Sequence, residues 1–271
     1  MTSIDTVEAL LENNEALQAA KTFLFQLADD DYITSFRGSE WLGLAPHIEE
    51  DVAFSSITQN TMGHAVLVYQ TLEALGEAEA DKLAHARPAG ERLSSVYLEK
   101  PNGPGTYLDE PHYDWALAVI RLYLYETWKK IRLQTAARGS IRPVAAAAEK
   151  ILMEQPYHLA HWKMWAVQLL DSTPEAKERL EERIAEAWRE AGDMISFGGH
   201  GQTFLENGVT ADSEEALQLR WLEEVRSVLP APAELPLKEA GDGRRKEHGS
   251  DLDQALKTCS EVFTSDREAV W

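Results

Sequence analysis

The chain is poor in cysteine, in positive charge and in long apolar runs. A single cysteine, Cys259, stands among 271 residues, which excludes an internal disulfide and any metal site built from several thiolates. Lysine and arginine together number 26 against 46 aspartates and glutamates, a formal net charge of −20. That excess repels phosphate backbones and argues against nucleic-acid binding as the main activity. No stretch reaches the ~18 uncharged apolar residues that mark a membrane span. Residues 1–11 lack the basic and apolar regions of a signal peptide. The expected setting is a reducing cytoplasm, with neither nucleic acid nor membrane as partner. What is present is an ordinary globular composition, 44% hydrophobic and 27% charged, with ample material for the core of one domain spanning 1–271.

Charge is unevenly spread. Residues 1–51 hold eleven acids against Lys21 and Arg37, whereas residues 121–150 hold seven basic residues against Glu126 and Glu149. Two solvated helix faces that attract each other would account for this. A basic surface made by Lys129, Lys130, Arg132, Arg138 and Arg142, suited to a phosphorylated ligand or an acidic partner, is the sharper reading.

Periodicity is helical nearly throughout. Apolar residues recur at intervals of three and four from Glu15 to Leu42 and again from Ile48 to Leu75, with Gly43, Pro46 and Gly76 as exits. Residues 76–112 are crowded with proline and glycine and read as a long crossover. A third helix spans Tyr113 to Ala137. A fourth spans Pro143 to Leu170, kinked at Pro156. Thr173 caps a fifth helix that runs through Met194, and a sixth starts at Asp212 or Ser213 and ends by Pro230. Residues 1–14 form an N-terminal extension, 230–249 a mobile loop, and a last helix covers 251–263. No segment alternates with period two. The expected fold class is all-α: a ferritin-like four-helix bundle, with a long crossover between helices two and three and extra C-terminal helices.

Ferritin-like di-iron proteins place a Glu on each of two helices and a Glu-x-x-His on each of the other two. Here His64 stands three residues after Thr61, and His158 three residues after Gln155. Both histidines are kept and both glutamates are replaced. Antiparallel pairing about turns near residues 45 and 140 sets Asp29 opposite Thr61 and His64, and Glu126 opposite Gln155 and His158. Neutral Thr61 and Gln155 cannot bridge and neutralise two irons, so a di-iron site of normal affinity is not expected. Two readings remain open. Asp29, Thr61, His64, Glu126, Gln155 and His158 form a buried polar network, or two histidines and two carboxylates hold a single metal, with Glu154 as an extra ligand. The tryptophans Trp115, Trp128, Trp162, Trp165, Trp188 and Trp221 lie on several helices, more than one bundle is expected to hide. No phosphate-cradling glycine loop and no nucleophile elbow are present.

Several stretches resemble a known family. They are Leu27-Ala28-Asp29-Asp30, the run from Arg37 to Pro46, Glu49-Glu50-Asp51, Gly63-His64-Ala65, Glu99-Lys100-Pro101-Asn102-Gly103, Tyr157-His158-Leu159 and Lys246-Glu247-His248-Gly249. In order and spacing, over about residues 20–270, they are similar to the C-type components of bacterial phenylacetyl-CoA epoxidases. The resemblance implies a component of a multicomponent di-iron monooxygenase that epoxidises the aromatic ring of phenylacetyl-CoA with oxygen and reductant. In that family the A-type component holds the irons. The C-type component has the same fold without a working di-iron site and packs against the A-type one. No cofactor is then expected on this chain. The implied partners are a di-iron A-type epoxidase component, a second copy when the chain is alone, and acyl-CoA near the basic stretch. The kept His64 departs from some C-type components and leaves weak metal binding open.

Overall fold

In the computed structural model, which describes residues 3–106 and 109–266, the described residues form helices and turns, with only isolated bridges in place of strands. Helix α1, Val7–Leu11, leads into α2, Asn14–Ser39. The Asn13 side chain accepts a hydrogen bond from the Ala16 amide and so caps α2. Turns at residues 40–44 with Gly43 at φ +79° end it and redirect the chain into α3, Ile48–Ala74. The crossover carries α4, Ala80–His85, a 3-10 turn at Ala89–Glu91, and α5, Val96–Glu99. Asp114 caps α6, Trp115–Ala137, through the Leu117 amide.

The helix expected from Pro143 to Leu170 is two. Helix α7, Arg142–Ile151, and α8, Gln155–Leu170, are separated by turns at 152–154. Pro156 has no N–H to offer residue 152, and its ring clashes with that carbonyl, so the backbone breaks there instead of bending. Thr173 caps α9, Pro174–Glu190, as expected, but the helix stops four residues short of Met194. Unexpected α10, Gly201–Glu206, follows a pair of glycines in left-handed conformation. Ser213 caps α11, Glu214–Arg226, and the tail holds α12, Ser250–Cys259, and α13, Glu261–Ser265.

The four inner helices are α2, α3, α6 and the α7–α8 pair. Helices α2 and α3 are antiparallel neighbours: Tyr69 reaches Asp29, and Ser35 reaches the Thr58 carbonyl. Helices α3 and α8 also run antiparallel, since Glu50 meets His161 and Trp165 while His64 meets Glu154. Helices α9 and α11 cover α6 from outside. The tryptophans expected at the surface are packed inside instead. Trp128, Trp162 and Trp221 are wholly buried, and Trp115 packs edge-on against Trp41 and Trp165. The supplementary helices supply the cover that four helices alone could not.

The stretch 230–249, expected to be mobile, is tied down. Arg244 is buried and reaches both carboxylate oxygens of Asp30, at 2.8 and 2.7 Å, as well as the Leu93 carbonyl. The Gly243 amide donates to buried Asp193 at 3.0 Å. A Cβ at position 243 would lie 1.9 Å from the Ser94 carbonyl oxygen, so only glycine lets this strap approach the crossover. Replacing Arg244 with methionine leaves buried carboxylates under-compensated and is expected to cost about 3 kcal/mol or more. The checks are a lower urea midpoint and new proteolytic cleavage within 230–249; an unchanged midpoint would show that the strap is not held by this ion pair.

Candidate functional site

Helix α2 carries Asp29, Asp30 and Asp31 in succession, all buried. At about 100° per residue, consecutive side chains cannot share a face, and each aspartate finds its own cations. Asp29 faces the crossover, where Arg87 pairs with it, the Leu93 amide donates at 2.9 Å and the Tyr69 hydroxyl at 2.6 Å. Asp30 takes Arg132 at 2.9 Å and Arg244. Asp31 points to the bundle centre, where Lys129 Nζ lies 2.7 Å from Oδ1 and the Tyr125 hydroxyl donates at 2.6 Å. The expectation that Asp29 joins the central site is therefore corrected: Asp31, two residues on, fills that place.

Around Lys129 the remaining candidates gather. Its Nζ is 3.0 Å from His64 Nδ1, and His64 Nε2 is 3.1 Å from Glu154 Oε2. An ammonium can only donate. His64 Nδ1 is therefore the acceptor, and Nε2–H donates to Glu154. The imidazole is held neutral, so this is a hydrogen bond and not a salt bridge. The His64 and His158 ring centroids are 5.6 Å apart. His158 Nδ1 stands 3.6 Å from Glu126 Oε1, and neither ring nitrogen has a hydrogen-bond partner among the described residues. Gln155 Nε2 donates to the Glu126 backbone carbonyl at 2.7 Å and to its carboxylate at 3.0 Å. Thr61 turns away and donates to the Ile57 carbonyl of its own helix at 2.9 Å. Glu126, Gln155, His64 and His158 are thus brought together, while Thr61 borders the group without joining its bonds.

The electrostatics follow from burial and one cation. Burial lifts the Asp31 carboxyl above its ordinary value against the pull of Lys129 and Tyr125. For Glu126, burial also works upward, but Lys129, His158 and Gln155 outweigh it and hold the carboxyl low. Burial, then the Lys129 charge, then His158, push the His64 imidazole down to about 2.

A divalent metal does not fit this arrangement. Both His64 nitrogens are engaged, an ammonium stands at the point where Asp31 and His64 meet, and Thr61 and Gln155 present neutral groups already bonded to backbone. Among the described residues, no group of three or more His, Cys, Asp or Glu side chains is placed to hold a metal ion. Orphaned polar atoms are nevertheless present: the His158 nitrogens, Gln155 Oε1 and Asp31 Oδ2.

The basic stretch does not form a cationic surface. Lys129 and Arg132 are wholly buried in ion pairs with α2. Lys130 pairs with Glu224, Arg138 with Asp212, and Arg142 with Glu149 at 2.7 Å. Each expected phosphate contact is already answered by a carboxylate. Sequence reasoning missed the inward turn of Lys129, although the signal was available: it lies three residues after Glu126 and four after Tyr125, hence on their helix face.

A family model described as phenylacetic acid catabolic protein matches residues 1–271. Among curated proteins the chain is similar to the C component of the 1,2-phenylacetyl-CoA epoxidase of Escherichia coli (strain K12). The two are 27% identical over 235 residues, covering 83% of this chain and 90% of that protein.

The neutral state of His64 makes stability acid-sensitive. The unfolded imidazole takes a proton below about 6.5, whereas the native one refuses it, so the unfolded state binds more protons and stability falls as pH drops. Between pH 7 and 5 this one group is expected to remove about 2 kcal/mol. In His64→Asn that component is gone, so the advantage of the unmodified chain over the variant should shrink by that amount, measured as urea unfolding free energies at both pH values. A gap independent of pH would mean that native His64 takes up its proton as readily as the unfolded chain does.

Proposed function

The chain belongs to the phenylacetic acid catabolic protein family, and from that premise we propose that it is the non-catalytic structural component of a bacterial multicomponent di-iron monooxygenase. On this reading the complex epoxidises phenylacetyl-CoA in aerobic phenylacetate breakdown, in the cytoplasm, with the irons carried by an A-type partner. Similarity to an epoxidase component along 83% of the chain supports the assignment. The observation that carries the non-catalytic half is the ammonium of Lys129 in the bundle core, bonded to Asp31 and His64. A core that already holds its own cation where Asp31 and His64 meet leaves no place there for iron. The same arrangement speaks against a self-sufficient metalloenzyme with two histidines and two carboxylates.

The partner's place is suggested by the outer faces of α3 and α8. Residues 52–72 contain no Asp, Glu, Lys or Arg, in a chain whose charged residues make up 27%. Ile48, Val52 and Val66 are exposed along α3. Beside them Tyr157, Ala160, Met164 and Val167 recur at intervals of three and four along one exposed stripe of α8, extended by Met153 in the turn before it, with Tyr157 77% exposed. Contiguous apolar stripes of this kind mark interaction surfaces. This chain would act as a rigid flank: its ion-paired core fixes α3 and α8, and those helices present a flat apolar side to the partner. A second copy is the expected occupant when the chain is isolated.

Co-expression with the family's iron-bearing component should yield a complex that survives affinity purification and gel filtration. Tyr157→Glu with Met164→Glu is expected to weaken that complex roughly a hundredfold or more, with the isolated chain's melting temperature little changed. Binding that is indifferent to both substitutions would move the interface elsewhere, and failure to co-purify at all would reject the structural-component reading.

A further inference from the structure

The four inner helices bring Asp31 from α2, His64 from α3, Glu126 from α6 and His158 from α8 into one contiguous group: the two histidine rings are 5.6 Å apart, His158 Nδ1 is 3.6 Å from Glu126 Oε1, and Asp31 and His64 approach a common point. Two carboxylates and two imidazoles are a set that divalent transition metals take. At that point stands the side chain of Lys129, with no exposed surface. We propose that Lys129 is a tethered cation that replaces a metal ion in the bundle core and bars divalent metals from it.

Three observations carry this. The Lys129 amine is bonded to the two atoms a metal would seek, Asp31 Oδ1 at 2.7 Å and His64 Nδ1 at 3.0 Å. The nitrogen it engages on His64 is the unprotonated one, the form in which imidazole ligates metals. The neighbouring polar atoms are left over: the His158 nitrogens, Gln155 Oε1 and Asp31 Oδ2 have no hydrogen-bond partner among the described residues. Asp31 and Glu126 are buried together and need a compensating cation within reach. A bound ion can dissociate or be chelated; an amine on the chain cannot. The core is thereby independent of metal supply, which suits a component whose task is to hold shape. The inference rests on the reading that this core carries no working metal, and adds the residue responsible.

The test compares Gln155→Glu, which returns a carboxylate three residues before His158, with the double variant Lys129→Ala/Gln155→Glu. Both are dialysed against cobalt(II) and read by elemental analysis and visible absorption. The double variant is expected to take up one cobalt per chain at least about a hundredfold more tightly than Gln155→Glu, because an ammonium beside a dication is removed. Adding His64→Ala to the double variant should abolish uptake. Equal uptake by the two chains, or a folded double variant that stays metal-free, would overturn the tethered-cation role while leaving the family's structural assignment intact. Should the double variant not fold, the unmodified chain decides. Cobalt uptake that broadens the His64 and His158 ring resonances would overturn both this role and the metal-free reading. Absence of uptake with unperturbed rings would support the role.

Discussion

Three adjacent carboxylates on one turn of α2 must be carried into the interior and neutralised there, and the surrounding architecture answers that demand. Because successive residues diverge by about 100°, Asp29, Asp30 and Asp31 cannot share one counter-ion. Their cations come from three parts of the chain. Arg87 comes from the crossover, Arg132 and Lys129 from α6, and Arg244 from the strap before α12. The crossover is long because it must bring Arg87 and the Leu93 and Ser95 amides to α2. The strap is held in place because Arg244 has no other acceptable destination. Buried ion pairs add little net stability compared with apolar packing, but a missing partner is severe. The network therefore acts chiefly as a specification of which segments must meet.

Much of this is legible in the residues. The long helices follow from apolar spacing, two of the starts from Thr173 and Ser213, and the crossover from its prolines and glycines. His64, Glu126, Gln155 and His158 meet as spacing and antiparallel pairing require. Two kinds of feature are not legible. Rotational phase is one: matching residue numbers across a hairpin places Asp29 at the centre, and an error of two residues turns a helix by more than half a revolution. Destination of charge is the other. A run of lysine and arginine on a helix reads as a wet surface, yet Lys129 and Arg132 face inward because α2 offers aspartates opposite them. The α7–α8 break reads only as a kink, since the sequence marks Pro156 without saying whether the flanking packing will tolerate a bent helix.

Helices α3 and α8 bury a few polar groups among their apolar ones and leave several apolar side chains outside. Their inner sides hold Glu50, His64 and His158 among Phe54, Val68, Leu72, Trp162 and Trp165, while the outer faces between residues 52 and 72 and along α8 carry little charge. A helix pair that is wet on its own account buries its apolar side. This one does so with Phe54, Val68, Leu72, Trp162 and Trp165, yet also shows methionine, valine and tyrosine outward. Exposed apolar side chains of this kind are what the proposed docking face requires. The family assignment and the surface thus agree without depending on one another.

The pairing of Asp30 with Arg244 spans 214 positions of sequence, which has a consequence for how the protein is made. Helix α2 leaves the ribosome carrying its full complement of negative charge, long before its last counter-ion is synthesised. Until then Asp30 has Arg132 alone to pair with. Long-range closure of this kind slows folding and lengthens the life of partly ordered intermediates. The polypeptide is thus committed to completing its interior late, after Arg244 has been synthesised.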